Sequence, residues 1–171
     1  MNPDTRPTDA SRLFDADSLR GWWVALRPHT LPASVSPVLV GAGVAWHRGV
    51  FHLPSLLLCL LVALLLQTAV NLANDYFDHA KGVDTENRRG FPRACASGLL
   101  PPEQVRTAAW VCLAATLVPG LYLISEGGLP LLVAGILSLL GALGYSGGPV
   151  PLGSVGLGDL LVFVFFGVVA V

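Results

Sequence analysis

The chain has 171 residues, of which 53% are hydrophobic and 12% are charged, and its formal net charge is −1. The charged share is about half that of an average soluble domain, which excludes an ordinary soluble fold, and the near-neutral balance excludes a basic surface for nucleic acid. Charged residues concentrate in the first 27 positions and between positions 75 and 106, and long apolar blocks fill most of the rest. The sequence therefore predicts an integral membrane protein that contacts the lipid bilayer and binds no nucleic acid.

The amino-terminal 20 residues are polar, carry charges of both signs and match neither a signal peptide nor a transit peptide. We interpret residues 1–20 as a cytoplasmic tail and residues 21–171 as part of a transmembrane domain. Trp22, Trp23 and Arg27 are aromatic and basic residues of the kind that mark the entry of a helix into the bilayer.

Apolar segments long enough to cross a membrane follow one another along the chain. Crossing takes about 20 residues, with ~17 tolerated. The predicted fold class is therefore all-α, a multi-span transmembrane helical bundle. Because the last segment is still apolar where the sequence ends, we expect this chain to be the amino-terminal part of a longer protein. The predicted spans are 30–46, 53–75, 105–124 and 129–146, with the start of a fifth near Gly158.

The basic residues predict which way the spans run. If the spans alternate in direction, all lysines and arginines except Arg48 lie on one side of the membrane. The positive-inside rule places that side in the cytoplasm, and we expect a bacterial cytoplasmic (inner) membrane. The amino terminus, the long connection from about Phe77 to Gln104 and the Gly-rich loop from Tyr145 to Asp159 then face the cytoplasm. Long charged connections are often functional, so chemistry is expected there.

Polar side chains gather where the second apolar segment ends. Asn71, Asn74, Asp75 and Asp78 have the spacing i, i+3, i+4 and i+7, which places them on one face of a helix. This is the carboxyl end of the helix, where the macrodipole is already negative and carboxylates repel one another. Asn74, Asp75 and Asp78, together with Asp84, offer the hard oxygen ligands that suit Mg²⁺.

Basic side chains follow closely in the sequence: Lys81, Arg88 and Arg93. Acidic ligands for a metal beside basic groups, at one membrane face, suit a diphosphate whose oxygens are shared between the metal and the guanidinium groups. The simpler alternative is that all of these charges are only solvated at the end of a helix. Asn71 has two interpretations, either a hydrogen bond between helices or a position lining a substrate cavity. Tyr145 is either an aromatic residue of the membrane interface or a substrate contact.

The residues from Asn74 to Asp84 resemble the first Asp-rich motif of the UbiA superfamily of membrane prenyltransferases, N-D-x-x-D-x-x-x-D. Gly82 stands where that motif has its last Asp, and Asp84 follows two residues later. The resulting D-x-x-K-G-x-D pattern is similar to the 1,4-dihydroxy-2-naphthoate polyprenyltransferases of menaquinone synthesis. The stretches 26–33, 88–98 and 145–159 resemble the same branch, although Phe91 separates Gly90 from Pro92, where the branch more often has Pro directly after Gly.

The resemblance implies a bundle of about nine transmembrane helices and a magnesium-dependent transfer of a polyprenyl group from polyprenyl diphosphate to 1,4-dihydroxy-2-naphthoate, with loss of CO₂ to give demethylmenaquinol. By this resemblance Mg²⁺ is held by Asn74, Asp75, Asp78 and Asp84. The catalytic residues would be Asp75, Asp78, Lys81, Arg88 and Arg93, and the substrate-binding residues Arg27, Asn71 and Tyr145. The family has a second Asp-rich motif on a later helix, which these 171 residues do not contain, so we expect the isolated chain to have weak activity or none.

Other functions stay open at this stage. The acceptor could be another aromatic ring, or the chain could be a non-catalytic membrane fragment that binds no metal. A transporter or cation channel would need acidic residues deep within several spans, whereas the acidic residues here lie at the ends of the spans. The prenyltransferase hypothesis accounts best for the motif and the basic residues beside it.

Overall fold

A computed structural model of the protein describes residues 16–82 and 91–146, together with residue 163. The all-helical prediction is confirmed, because every regular element in these ranges is a helix. The predicted fifth span and most of the Gly-rich loop lie outside the described residues. In chain order the helices are α1 (Ala16–Leu26), a 3-10 helix (Pro28–Thr30), α2 (Leu31–His47), α3 (Leu53–Ala80), α4 (Pro102–Ala115), α5 (Leu117–Gly127) and α6 (Leu129–Ser146).

Helix α1 begins within the stretch that the sequence assigned to the tail, since its first residue is Ala16. Asp17 lies in its first turn, where a negative charge complements the helix dipole. Gly21 and Ala25 are buried one turn apart, and Trp23 is exposed between them. The helix therefore packs through a narrow stripe of small residues and presents an aromatic side chain outward, as expected for a helix at the membrane entry.

Helix α3 is the centre of the bundle, since each of the other five α-helices contacts it. Its 28 residues correspond to a length of about 42 Å. The hydrocarbon core of a bilayer is about 30 Å thick, so a span that starts at Leu53 leaves the core near Leu72. The surplus length carries Asn74, Asp75 and Asp78 just beyond the hydrocarbon, where polar groups are inexpensive to expose.

The predicted span 105–124 consists of two helices that meet at Thr116. Pro119 lies three residues into α5 and is buried. A proline has no N–H for the carbonyl four residues before it, and its ring clashes with that carbonyl, so the α-helical pattern is interrupted. At the junction the N–H of Thr116 bonds to the carbonyl of Leu113 at 3.2 Å, which is a tighter turn than that of an α-helix. The sequence predicted the span but not this break.

The buried core lies at one end of the bundle. It joins Ala25 on α1, Leu72 on α3, the segment Ala94–Cys95 with Leu100, and Val105 with Ala109 on α4. Trp22 and Tyr76 pack against its edge. The best-packed part of the described chain is therefore the end that carries the Asp-rich motif.

Within the described part of the chain, two stretches are long and apolar enough to cross a membrane, on the criteria of length and composition alone. They are Leu53–Ala80 and Pro102–Gly127, the second being α4 and α5 together. Only 17% and 22% of their most apolar windows are buried within the described residues. The core helix of a soluble protein would be mostly covered by its own chain, so these exposed apolar faces favour lipid or further helices as their surroundings.

Candidate active site

The motif lies on the last two turns of α3. The helix ends at Lys81, whose N–H bonds to the carbonyl of Phe77, and Gly82 follows with a positive φ of 64°. That conformation suits glycine and commonly ends a helix. Asp84 and Arg88, two predicted site residues, lie outside the described residues, as does the side chain of Tyr145, whose backbone belongs to the last turn of α6.

Asp75 is completely buried and points toward the connection between α3 and α4. The backbone N–H of Ala94 donates to its Oδ2 at 2.9 Å, and the N–H of Cys95 donates to its Oδ1 at 3.1 Å. Both carboxylate oxygens therefore accept main-chain hydrogen bonds. The predicted metal-binding and catalytic roles of Asp75 stay predictions, but its carboxylate has no solvent exposure.

Asp78, one turn further along α3, forms an ion pair with Arg93. Arg93 Nη2 donates to Asp78 Oδ2 at 2.5 Å, and the side chains are 10% exposed for Arg93 and 25% for Asp78. The sequence placed these two residues in one site although they are 15 positions apart. Because the pair is partly buried, it is screened less by salt than an exposed ion pair would be.

The other described polar residues of the motif flank this pair. Asn74 precedes Asp78 by one turn and is half-buried on the same helix. Lys81 is exposed, and its Nζ lies 5.7 Å from the ring centroid of Phe77, at the outer range of a cation–π contact. The site thus combines an amide, a carboxylate, a guanidinium and an ammonium group at the end of one helix.

Arg27 lies at a sharp corner between α1 and the 3-10 helix. It has φ 49° and ψ 64°, the left-handed conformation that non-glycine residues rarely adopt. Its carbonyl accepts hydrogen bonds from both the N–H and the hydroxyl of Thr30, each at 2.9 Å. The corner is therefore held by Thr30, a residue that the sequence analysis missed. Thr30 lies in one of the stretches singled out above, 26–33, but nothing in the sequence assigned it a role, because an isolated threonine beside an apolar segment is common.

Asn71 connects this corner to α3. Its amide nitrogen donates to the carbonyl of Leu26 and to the hydroxyl oxygen of Thr30, both at 2.9 Å. Gln67 donates to the same hydroxyl at 3.4 Å. Of the two interpretations of Asn71, the structure therefore shows the hydrogen bond between helices; its substrate-binding role stays a prediction.

The thiol of Cys95 lies beside the Asp75 carboxylate. Burial, followed by the charge of Asp75 and a hydrogen bond with it, raises the pKa of Cys95 to about 12. The thiol is therefore protonated at physiological pH and has no reactive thiolate. Cys95 lies in the connection between α3 and α4, outside the predicted spans.

Asn74 and Asp78 fit a magnesium site of the open kind. Magnesium is usually bound through one or two carboxylates, with water and substrate phosphate completing its shell. In residues 16–82, 91–146 and 163 there is no group of three His, Cys, Asp or Glu side chains that could hold a metal. A complete cage is therefore not formed by the described residues, whereas a two-ligand site that shares its cation with a diphosphate is compatible with them.

One surface cavity in the described ranges lies away from this site. It has a volume of about 530 Å³ and lies between α1 and α4, where Trp22, Thr107 and Cys112 are among its lining residues. No residue of the Asp-rich motif lines it.

A family model described as the UbiA prenyltransferase family matches residues 34–171. The chain is 37% identical to a 1,4-dihydroxy-2-naphthoate octaprenyltransferase of Escherichia coli (strain K12), over 86% of this chain and 50% of that protein. It is 42% identical to the protein of the same name from Mycobacterium tuberculosis, over 90% of this chain and 52% of that protein.

A vertebrate relative is similar over nearly the whole chain. The UbiA prenyltransferase domain-containing protein 1 of Danio rerio is 35% identical, over 99% of this chain and 51% of that protein. The chain thus spans about half the length of the curated relatives it matches. No solved structure gives a significant match.

Proposed function

The chain belongs to the UbiA prenyltransferase family, and from this we propose that it acts in the transfer of a polyprenyl group from polyprenyl diphosphate to 1,4-dihydroxy-2-naphthoate, with loss of carbon dioxide. The observation that carries the proposal is the ion pair of Asp78 and Arg93, which stands one turn from Asn74 at the end of α3. These groups supply oxygen ligands for a cation and a guanidinium for diphosphate oxygens in one place.

The basic residues stabilise the negative charge that develops on the diphosphate during the reaction. Lys81 and Arg93, with Arg88, bind the diphosphate oxygens and stabilise the negative charge that grows as the bond between carbon and oxygen breaks. Asn74 and Asp78, with Asp84, would hold Mg²⁺, which when bound neutralises part of the diphosphate charge. Without substrate, Arg93 forms an ion pair with Asp78. When a magnesium diphosphate binds, this pair would be replaced by two others, Arg93 with the diphosphate oxygens and Asp78 with the cation.

The bonds change as follows. The electron pair of the broken bond leaves with diphosphate, and an allylic cation remains on the prenyl chain. The ring carbon that carries the carboxylate forms the new carbon–carbon bond. The carboxylate then leaves as CO₂, and its electron pair restores the aromatic ring to give the demethylmenaquinol. Arg27 and Tyr145 are the proposed acceptor contacts, and the prenyl tail lies along apolar helix faces in the bilayer.

The expected location is the cytoplasmic face of a bacterial inner membrane. The asymmetry of lysine and arginine along the chain supports this orientation. The polyprenyl diphosphate then presents its diphosphate to the motif from the cytoplasmic interface, while its tail stays in the lipid.

A second candidate is transfer to a different aromatic acceptor. The Danio rerio relative, whose name states no acceptor, is 35% identical to this chain, and the Escherichia coli octaprenyltransferase is 37% identical. Similarity of this size does not select the acceptor. An assay that offers several hydroxylated aromatic acids in parallel distinguishes the two candidates by the mass of the product.

Membranes from cells that express the complete reading frame test the proposal. They are incubated with Mg²⁺, a polyprenyl diphosphate and 1,4-dihydroxy-2-naphthoate, and the prenylated product is measured. We expect product from the unaltered protein and none from Asp78→Ala. Glu126→Gln, an exposed acid at the far end of α5, is the matched control and should retain activity. Absence of product with every acceptor, from correctly inserted protein, would refute the proposal.

A further inference from the structure

We propose that Asp75 is a positioning residue, whose buried carboxylate fastens the backbone of residues 94 and 95 to helix α3 and thereby holds Arg93 against Asp78. This differs from the ligand role that the motif suggests for Asp75. Its Oδ2 and Oδ1 accept the N–H groups of Ala94 (2.9 Å) and Cys95 (3.1 Å), and its side chain is 0% exposed. The carboxylate therefore faces the protein's own main chain, and both of its oxygens accept hydrogen bonds from it.

The surroundings of Asp75 are built to keep a charge buried. A buried carboxylate is costly unless it is well hydrogen-bonded, and bonds from main-chain N–H groups to an ionised oxygen are among the stronger ones. Ala94 is fully buried and Cys95 is 3% exposed, so both donors lie in the same dry environment. The raised pKa of the Cys95 thiol agrees with this, since the neighbouring carboxylate charge contributes to it.

The anchored segment is a single rigid turn that begins at Arg93. The carbonyl of Arg93 accepts the N–H of Ser97 at 2.9 Å, and the carbonyl of Ala94 accepts that of Leu99 at 3.0 Å. Gly98 closes the turn with φ 68°. Because the peptide group that joins residues 93 and 94 is planar, fixing the N–H of Ala94 also fixes the carbonyl group and the Cα of Arg93. Its guanidinium then meets Asp78, one turn after Asp75 on the same helix.

Labelling of Cys95 tests the anchor directly. The chain has three cysteines, and Cys59→Ala with Cys112→Ala leaves Cys95 as the only thiol. In this background, with each rate corrected for the thiolate fraction found from that variant's own pH profile of labelling, we expect Asp75→Asn to increase the rate of labelling by a water-soluble maleimide at least about tenfold, because the turn opens more often. Asp17→Asn, which removes an exposed acid from α1, is the control and should leave the rate unchanged. Equal rates for Asp75→Asn and its parent would overturn the proposal.

The same assay separates an anchor from a metal ligand. Protection of Cys95 by backbone hydrogen bonds does not depend on a cation, so the parent should label equally slowly in EDTA and in Mg²⁺. If protection appears only with Mg²⁺, the anchor is wrong and the ligand role is supported.

Hydrogen exchange on the unaltered chain needs no variant that could fail to fold. The amides of Ala94 and Cys95 should exchange at least about tenfold more slowly than that of Phe91, an exposed residue of the same connection. Exchange of all three at the same rate would contradict the anchor.

The link to Arg93 rests on the proposed function and is tested with inorganic diphosphate and Mg²⁺. Asp75→Asn should weaken diphosphate binding about tenfold while the half-saturating Mg²⁺ concentration is unchanged. In an Arg93→Ala background the same substitution should have no further effect. An equal loss in both backgrounds would show that Asp75 does not act through Arg93. If the unaltered chain binds no diphosphate, the proposed function fails, and labelling and exchange still decide whether Asp75 anchors the turn.

Discussion

A methyl group at Gly21 would lie 2.8 Å from Cγ of Leu100, so α1 and the connection before α4 meet at a contact with no room for a side chain. Leu100 is 2% exposed and belongs to the buried core at the motif end of the bundle. The contact holds α1 against the same segment that carries Arg93. A glycine within a helix is otherwise unfavourable, so close packing is the reason for it here.

Gly21→Ala should destabilise the protein. Forcing a methyl into a filled core costs about 1–3 kcal/mol, which exceeds the gain in helix propensity of about 1 kcal/mol. Unfolding in detergent, followed by circular dichroism, measures the loss. Gly43→Ala is the matched control on α2: its added Cβ meets nothing within 4 Å, so this variant should be neutral or more stable. A Gly21→Ala variant as stable as the parent would show that the contact is loose.

Replacing Arg93 should weaken binding of magnesium diphosphate, and removal of the charge should weaken it more than loss of the guanidinium shape alone. Arg93→Lys keeps the charge but not the planar fork, and we expect a loss of about tenfold, whereas Arg93→Ala should lose about a hundredfold. Equilibrium binding of inorganic diphosphate in Mg²⁺ measures both. Arg106→Ala removes an exposed arginine that pairs with Glu103 on α4 and serves as the control. A similar loss for Arg106→Ala would indicate general charge attraction and not a site at Arg93.

Thr30→Val should destabilise the corner at Arg27. The hydroxyl donates to the carbonyl of Arg27 and accepts from Asn71, and an isosteric valine removes both bonds, although the Arg27 carbonyl keeps the N–H of residue 30 and Asn71 keeps the carbonyl of Leu26. We expect a loss of about 1–3 kcal/mol in unfolding free energy. Thr30→Ser keeps the hydroxyl and should cost less. Gln67→Leu should be nearly neutral because its bond to Thr30 is long, at 3.4 Å; a large effect there would contradict this ranking.

Alkaline pH should loosen the fold through Cys95. Its pKa is raised from the usual 9.0 to about 12 in the folded chain. Between these values the unfolded thiol is ionised and the folded thiol is not, so the unfolded state binds fewer protons. The stability that the protonated Cys95 thiol contributes to the folded state is therefore fully present below about pH 9 and is lost as the pH rises toward 12. Unfolding measured from pH 8 to pH 11 should show this slope, and Cys95→Ala should reduce it.

Much of the fold follows from the sequence, because apolar runs of sufficient length predict helices whatever their neighbours are. The same rule could not place the break at Thr116. Pro37 lies within α2 without interrupting it, whereas Pro119 accompanies an interruption. Whether a helix continues past a proline depends on how neighbouring groups satisfy the freed carbonyl, which requires the tertiary structure.

The residues of the site could be predicted from the sequence, but the direction in which each side chain points could not. At about 100° per residue, Asn74 and Asp78 are about 40° apart around α3, and Asn74 and Asp75 are about 100° apart. Spacing therefore assigned all of them to one broad face. Only the tertiary structure shows that Asp75, at one edge of that face, accepts hydrogen bonds from the backbone N–H groups of residues 94 and 95. No sequence pattern predicted the left-handed backbone conformation of Arg27 either.

The attachment of residues 94 and 95 to Asp75 is made through the main chain, so it constrains the sequence of this segment in an unusual way. Any residue small enough for the buried core can stand at these two positions, since every amino acid except proline offers the same N–H group. Related sequences can thus drift at both positions and keep the attachment. Proline is the one small residue that this rule forbids there, and a library of substitutions at Ala94 and Cys95 should recover all the others of similar size.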